Sequence, residues 1–128
     1  MEVCIFDGFW TVEDVRDYSE YLFIFGDNDV NKGKKGQAII RDEPNTSGIP
    51  TKKFPNFAQS SFYTDREYEQ NIIKIDKAIE KILLRVKNEG YKGIVLPKDG
   101  LGTGLSKLNV YAPKTFEYLN KKIHELCL

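Results

Sequence analysis

The chain has 128 residues, 41% of them apolar and 30% charged, and its nineteen basic residues balance nineteen acidic ones. That length makes one domain, spanning 1–128, around a single core, and the 8 Phe, 7 Tyr and 1 Trp supply enough burial to exclude wholesale disorder. Zero net charge argues against coating nucleic acid by bulk charge, and no apolar run reaches the length of a membrane span.

The opening Met1-Glu2-Val3-Cys4 lacks the basic and then apolar layout of a signal peptide. Cys4 and Cys127 form no CxxC pair and no disulfide framework, which suits a reducing cytosol. A cytoplasmic protein is therefore expected. The one histidine, His124, is read as a residue on the exposed side of the last helix, so no metal site and no cofactor are expected. Any chemistry falls to Lys, Asp, Ser, Thr or a bound substrate.

In chain order, Val3 to Phe6 reads as a short strand. Thr11, with Asp14 three residues on, reads as the capping box of a helix reaching about Glu20. The continuously apolar Tyr21-Leu22-Phe23-Ile24-Phe25 is a buried strand, with Gly26-Asp27-Asn28 as its stop. A basic, glycine-punctuated stretch from Asn31 to Gly36 leads into a helix over Gln37–Arg41. A strand runs from about Ser47 to Lys53, and Pro50 makes it short, bulged or an edge. Phe54 to Phe62 is an aromatic loop. Tyr68, Ile72, Ile75, Ile79, Ile82 and Val86 recur at spacings of four and three, widened by Ile73 and Leu83, and predict a long helix. Thr64 and Glu67 are its expected capping box and Gly90 its C-terminal stop. Gly93 to Pro97 is the next buried strand, and Ala112, Phe116, Leu119, Ile123 and Leu126 mark the last helix. Strands alternating with helices predict an α/β fold with helices on both faces of one sheet.

In such sheets ligands sit beyond the C-terminal ends of the strands, where three polar loops fall. The most informative runs from Lys98 to Ser106. Gly100, Gly102 and Gly104 alternate there, which suits a backbone nest whose N–H groups hold phosphate. Three alternating glycines exceed what a tight connection needs, although the motif is neither a Walker A loop nor a GxGxxG fingerprint. The second loop, Gly33-Lys34-Lys35-Gly36-Gln37-Ala38, places glycines ahead of the expected helix N-terminus. The third is Thr51-Lys52-Lys53. Between Lys32 and Lys53 six basic residues face two acidic ones, so the neutral whole hides a basic segment.

Taken together, Phe25-Gly26-Asp27-Asn28, Gly33 to Ala38, Gly48 to Lys53 and Leu96 to Leu105 resemble the macrodomain pattern over about residues 21 to 123. They are most similar to the branch containing the terminal ADP-ribose protein glycohydrolases. A group of small bacterial and phage proteins shares the same spaced blocks. The resemblance implies a three-layer α/β/α fold with a mixed central sheet. It implies a pocket for ADP-ribose or a related nucleotide, lined by Gly26, Asp27, Asn28, Gly33, Gly36, Gln37, Thr51 and Gly100, Leu101, Gly102, Thr103, Gly104, Leu105 and Ser106. In that branch a lysine following a Thr attacks the sugar carbon, and Lys52 or Lys53 falls at the matching place, with Lys52 preferred. Ser106 stands where the branch carries an aspartate. Asp99, in the same loop region but at a different position, is the candidate substitute, with Asp27 the other carboxylate considered.

The resulting expectation is a binder of ADP-ribose or a related nucleotide, with removal of ADP-ribose from a modified target as its candidate reaction. Nucleic acid enters only as an ADP-ribosylated substrate. The alternative is a non-catalytic sponge or sensor of a cyclic ADP-ribose isomer or cyclic dinucleotide, of the kind a phage deploys against host defence in the host cytoplasm. The Lys-, Asn- and Ile-rich composition suits an AT-rich phage or bacterial genome.

Overall fold

Four short apolar segments pair into one sheet in the order β1 (Glu2–Phe6), β4 (Gly93–Pro97), β2 (Tyr21–Asn28), β3 (Thr46–Lys52). The computed structural model describes residues 1–128. All three pairings are parallel, so the sheet is not mixed as expected. Every strand is followed by a connection long enough to return the chain to the same end, as parallel pairing requires. The one antiparallel contact is an isolated bridge between Lys52 and Phe62.

The connections carry the rest: α1 (Val12–Asp17), a 3₁₀ turn at Gly36–Ile40, further 3₁₀ turns at Gln59–Ser61 and Asp65–Glu67, α2 (Tyr68–Glu89), α3 (Leu108–Tyr111) and α4 (Pro113–Leu126). Alternate residues of the strands feed two separate cores. Leu22, Ile24, Ile49, Ile94 and Leu96 pack with Ile75, Ile79 and Ile82 of α2 and Leu119 of α4. Phe23, Phe25 and Val95 pack with Trp10, Val15, Ala38 and Ile40. Both faces are thus covered, which is why β4 is buried at every position. Gly93 is required where β4 meets β1, because a Cβ there would stand 1.9 Å from the Glu2 carbonyl oxygen.

Local chemistry explains most boundaries. Thr11 and Asp14 form a complete capping box, and Gly90 closes α2 at φ 73°, both as expected. Helix α1 stops at Asp17, short of Glu20. Thr64 makes no cap bond, and the chain instead takes a 3₁₀ turn before α2 begins at Tyr68. Asp65 is used elsewhere: its carboxylate accepts from the amides of Lys114 and Thr115 and caps α4. Ile73 and Leu83 are exposed and do not widen the buried stripe of α2. The expected helix over Gln37–Arg41 is the five-residue 3₁₀ turn. Strand β3 is an edge, as Pro50 suggested, with its register shifted between Asp27 and Asn28. Arg85 of α2 donates to the carbonyls of Pro44 and Thr46 at the start of that edge.

No helix is long and apolar enough to cross a membrane.

Candidate functional site

The C-terminal ends of all four strands open into one cleft of about 850 Å³. Gly8, Phe9 and Trp10 follow β1, Lys32 to Ala38 follow β2, Pro55 and Phe57 follow β3, and Asp99 with Gly102 to Ser106 follows β4. Its volume lies within the range of small-molecule sites.

The wall after β2 is built by buried polar side chains. Gly26-Asp27-Asn28 does not stop the strand; it continues as β2, paired with Ile49, Pro50 and Lys52. Asp27 is tolerated inside because Arg41 pairs with its carboxylate at 2.7 Å, while the Asn28 amide and the Asn31 side chain donate to it. Space for it comes from Gly48, where a Cβ would meet the Asp27 side chain at 2.6 Å. Arg41 also donates to the carbonyls of Gly33 and Lys32. Asn28 accepts from the amides of Val30 and Lys32 and donates to the Lys32 carbonyl. Asp27 and Asn28 therefore hold the loop, and both carboxylate oxygens of Asp27 are engaged by the protein.

Gln37 joins the two glycine loops. Its side-chain oxygen accepts from the Gly26 amide at 2.9 Å, and its side-chain nitrogen donates to the Gly100 carbonyl at 2.9 Å. Its own carbonyl accepts from the Trp10 indole at 2.9 Å. One residue thus ties the ends of β1, β2 and β4, and its amide is engaged by the protein. The 3₁₀ turn that contains it, Gly36–Ile40, is too short to supply the helix dipole expected there.

The loop after β4 is shaped by glycine instead. Gly100 and Gly102 adopt φ of 80° and 86°, where a side chain is disfavoured. At Gly102 a Cβ would also approach the buried Leu108 at 2.9 Å. The amides of Gly102 to Ser106 donate to no protein acceptor, and neither do those of Gly33 to Gln37 across the cleft. Two runs of backbone N–H groups without a protein acceptor therefore border the cleft.

The two adjacent lysines have opposite fates: β3 ends at Lys52, one residue short of the expected Lys53, and the chain bends there. Lys53 leaves the cleft and pairs with Glu67 at 2.6 Å, a bond that holds the Glu67 carboxyl below its ordinary range. Lys52 lines the cleft, is 6% exposed, and has no carboxylate partner. Its ammonium lies 4.6 Å over the Phe57 ring and 4.9 Å over Phe62. Burial lowers its pKa, which favours the neutral amine. Thr51, just before it, donates its hydroxyl to the Asp27 carbonyl. Asp99 is exposed on the cleft lip, and its carbonyl accepts from the Thr103 hydroxyl.

The structure brings the predicted residues together around this cleft except Gly100 and Leu101. Leu101 is a core residue, and Gly100 lies behind the wall, held by Gln37. Sequence reasoning missed Gly8, Phe9, Trp10 and Arg41, whereas Phe57 belongs to the aromatic loop read from the sequence. The rule that pointed to three strand-end loops also applies to the one after β1, and an apolar Phe9 beside a glycine was the available signal. Nothing in the spacing marked Arg41, which acts through Asp27. Half of the aromatic loop is structural: Phe62 stacks on Tyr111 at 4.7 Å and Tyr63 is buried, while Pro55 and Phe57 reach the cleft.

The chain is thus an α/β protein with a parallel four-stranded sheet and a cleft at its strand ends. The chain belongs to the DUF7831 family, described as a family of unknown function, whose model matches residues 5–122. No curated protein and no solved structure matches it.

Proposed function

We propose that the protein binds a phosphorylated nucleotide of the ADP-ribose class in this cleft, with a macrodomain-like three-layer arrangement as its scaffold. The observation that carries the reading is the convergence of two runs of free amides and one buried, unpaired lysine on a single cavity. Amides in nests take the phosphates, and Lys52 contributes the cationic contact. Lys52 is unpaired within the protein, so a ligand anion is the partner that its position suits.

Binding is proposed to outlast turnover. The only free carboxylate on the cleft is that of Asp99, out on the lip, and the matching position in the loop is Ser106. If cleavage occurs, Lys52 is the nucleophile or clamp and Asp99 the acid–base group. Titration calorimetry with ADP-ribose on Lys52→Ala and Lys53→Ala tests the binding. A charge-assisted contact is worth about 1.5–3 kcal/mol, so Lys52→Ala is expected to weaken affinity roughly tenfold to a hundredfold. Lys53→Ala is expected to leave it within about twofold. Equal, small losses for both would remove Lys52 from the ligand. Incubation with ADP-ribosylated protein or nucleic acid is expected to release little free ADP-ribose; release that Lys52→Ala abolishes would establish an enzyme instead.

A further inference from the structure

We infer that the ligand carries two planar bases, one at each end of the cleft, so that its class is a dinucleotide; this rests on the nucleotide reading above and narrows it. Two exposed aromatic rings line the cavity. Phe9 follows β1 and is 95% exposed, beside Gly8 at φ 88°. Phe57 follows β3, is 59% exposed, and rests on the Lys52 ammonium. Neither belongs to a core cluster: Phe9 has no packing role in the fold, and Phe57 has one face on the Lys52 ammonium and remains largely exposed.

Their placement is what gives them meaning. β1 and β3 are the opposite edges of the sheet, and three inter-strand spacings separate them, about 14 Å. Between them lie β4 and β2, whose loops present the free amides. The order across the cleft is ring, amides, amides, ring. That is the order of base, phosphate, phosphate, base along a molecule in which two nucleosides are joined through a diphosphate. Ring stacking tolerates any base, so the arrangement sets the class of ligand and not the identity of its bases. A ligand with one base would leave one ring without a partner. The charge also fits: Lys32, Lys35 and Lys52 line the cleft without a carboxylate partner, while Arg41 is paired with Asp27 and Lys34 with Asp42.

The test compares ADP-ribose with di(adenosine-5′) diphosphate, which differs by a second adenine on the far ribose. Calorimetry on the wild-type protein is expected to show the two-base probe binding about 5- to 150-fold tighter, the effect of one stacked base. Phe57→Leu is expected to erase that difference between the two probes, whatever it does to Lys52, because both probes share the Lys52 contact. Phe9→Leu is expected to weaken both probes alike. Both positions are solvent-facing, so the variants keep the wild-type melting temperature. Equal wild-type affinities would overturn the second-base site and leave nucleotide binding standing; binding of neither probe would overturn both.

Discussion

The two loops that face each other across the cleft present the same chemical group by different means. The loop after β2 is held by side chains: Asp27, Asn28 and Arg41 form a bonded set, 13% exposed at Arg41 and 6% at Asp27, that fixes the chain from Asn28 to Gly33. The loop after β4 is held by backbone conformation, with Gly100 and Gly102 at positive φ and few side-chain bonds. The contrast teaches that the first loop is fragile to losing an atom and the second to gaining one.

The largest effect is expected from Arg41→Met, which strands the buried Asp27 carboxylate. Breaking one side of such a pair costs about 3–5 kcal/mol, read as a fall in urea midpoint. Adding Asp27→Asn should restore part of the loss, because no charge is then left unpaired; a double variant as unstable as the sum of the two singles would show that the pair does not hold this loop. Next comes the glycine loop. Gly102→Val meets both a positive φ and Leu108, and is expected to cost about 2–4 kcal/mol. Gly104→Val has no atom within 4 Å of its Cβ and an ordinary φ, so stability should stay within about 0.5 kcal/mol while nucleotide affinity falls. Matching stability losses at the two glycines would erase the distinction between a packed and an open position.

The smallest effect concerns Lys52. Burial lowers its folded pKa below the unfolded 10.5, so at neutral pH folding carries the charged amine at a cost. As pH rises through the lowered value the folded form sheds its proton first, and the cost is relieved. Lys52→Met is therefore expected to raise the melting temperature at pH 7, by about 4 °C for each kcal/mol removed, with the gain shrinking as pH approaches 10.5. A gain that stays constant with pH would assign it to packing alone.

Much of this was legible in the residues because short-range physics decides it. Thr11 and Asp14 are three apart, Gly90 follows a clear helical period, and Gly93 to Pro97 is apolar throughout; each became what it looked like. The strand-end loops were found by the same route. What escaped was decided by partners far along the chain. Gly26-Asp27-Asn28 looks like a stop, yet it continues a strand because Arg41 and Gly48 receive Asp27. Thr64 and Glu67 have capping spacing, yet Lys53 takes Glu67 and Asp65 caps another helix. Ile73 and Leu83 carry the right polarity for a core, but the sheet they would face lies on the other side of α2. Gln37 lines the cleft as the sequence suggests, but its bracing role is not legible there, since its two partners, Gly26 and Gly100, lie far along the chain.

The strand order has a consequence for how the sheet assembles. β4 lies between β1 and β2, so the strand that completes the middle of the sheet is the last of the four in the chain. Glu2 waits about ninety residues for its partner Gly93, and Tyr21 about seventy for the same residue. Until β4 arrives, β1 has no neighbour and β2 has only β3. Closing such long intervals makes folding slow relative to chains of local contacts, and leaves β1 as an unpaired edge meanwhile. A chain stopped before residue 93 would thus hold most of its apolar residues but only half of its sheet.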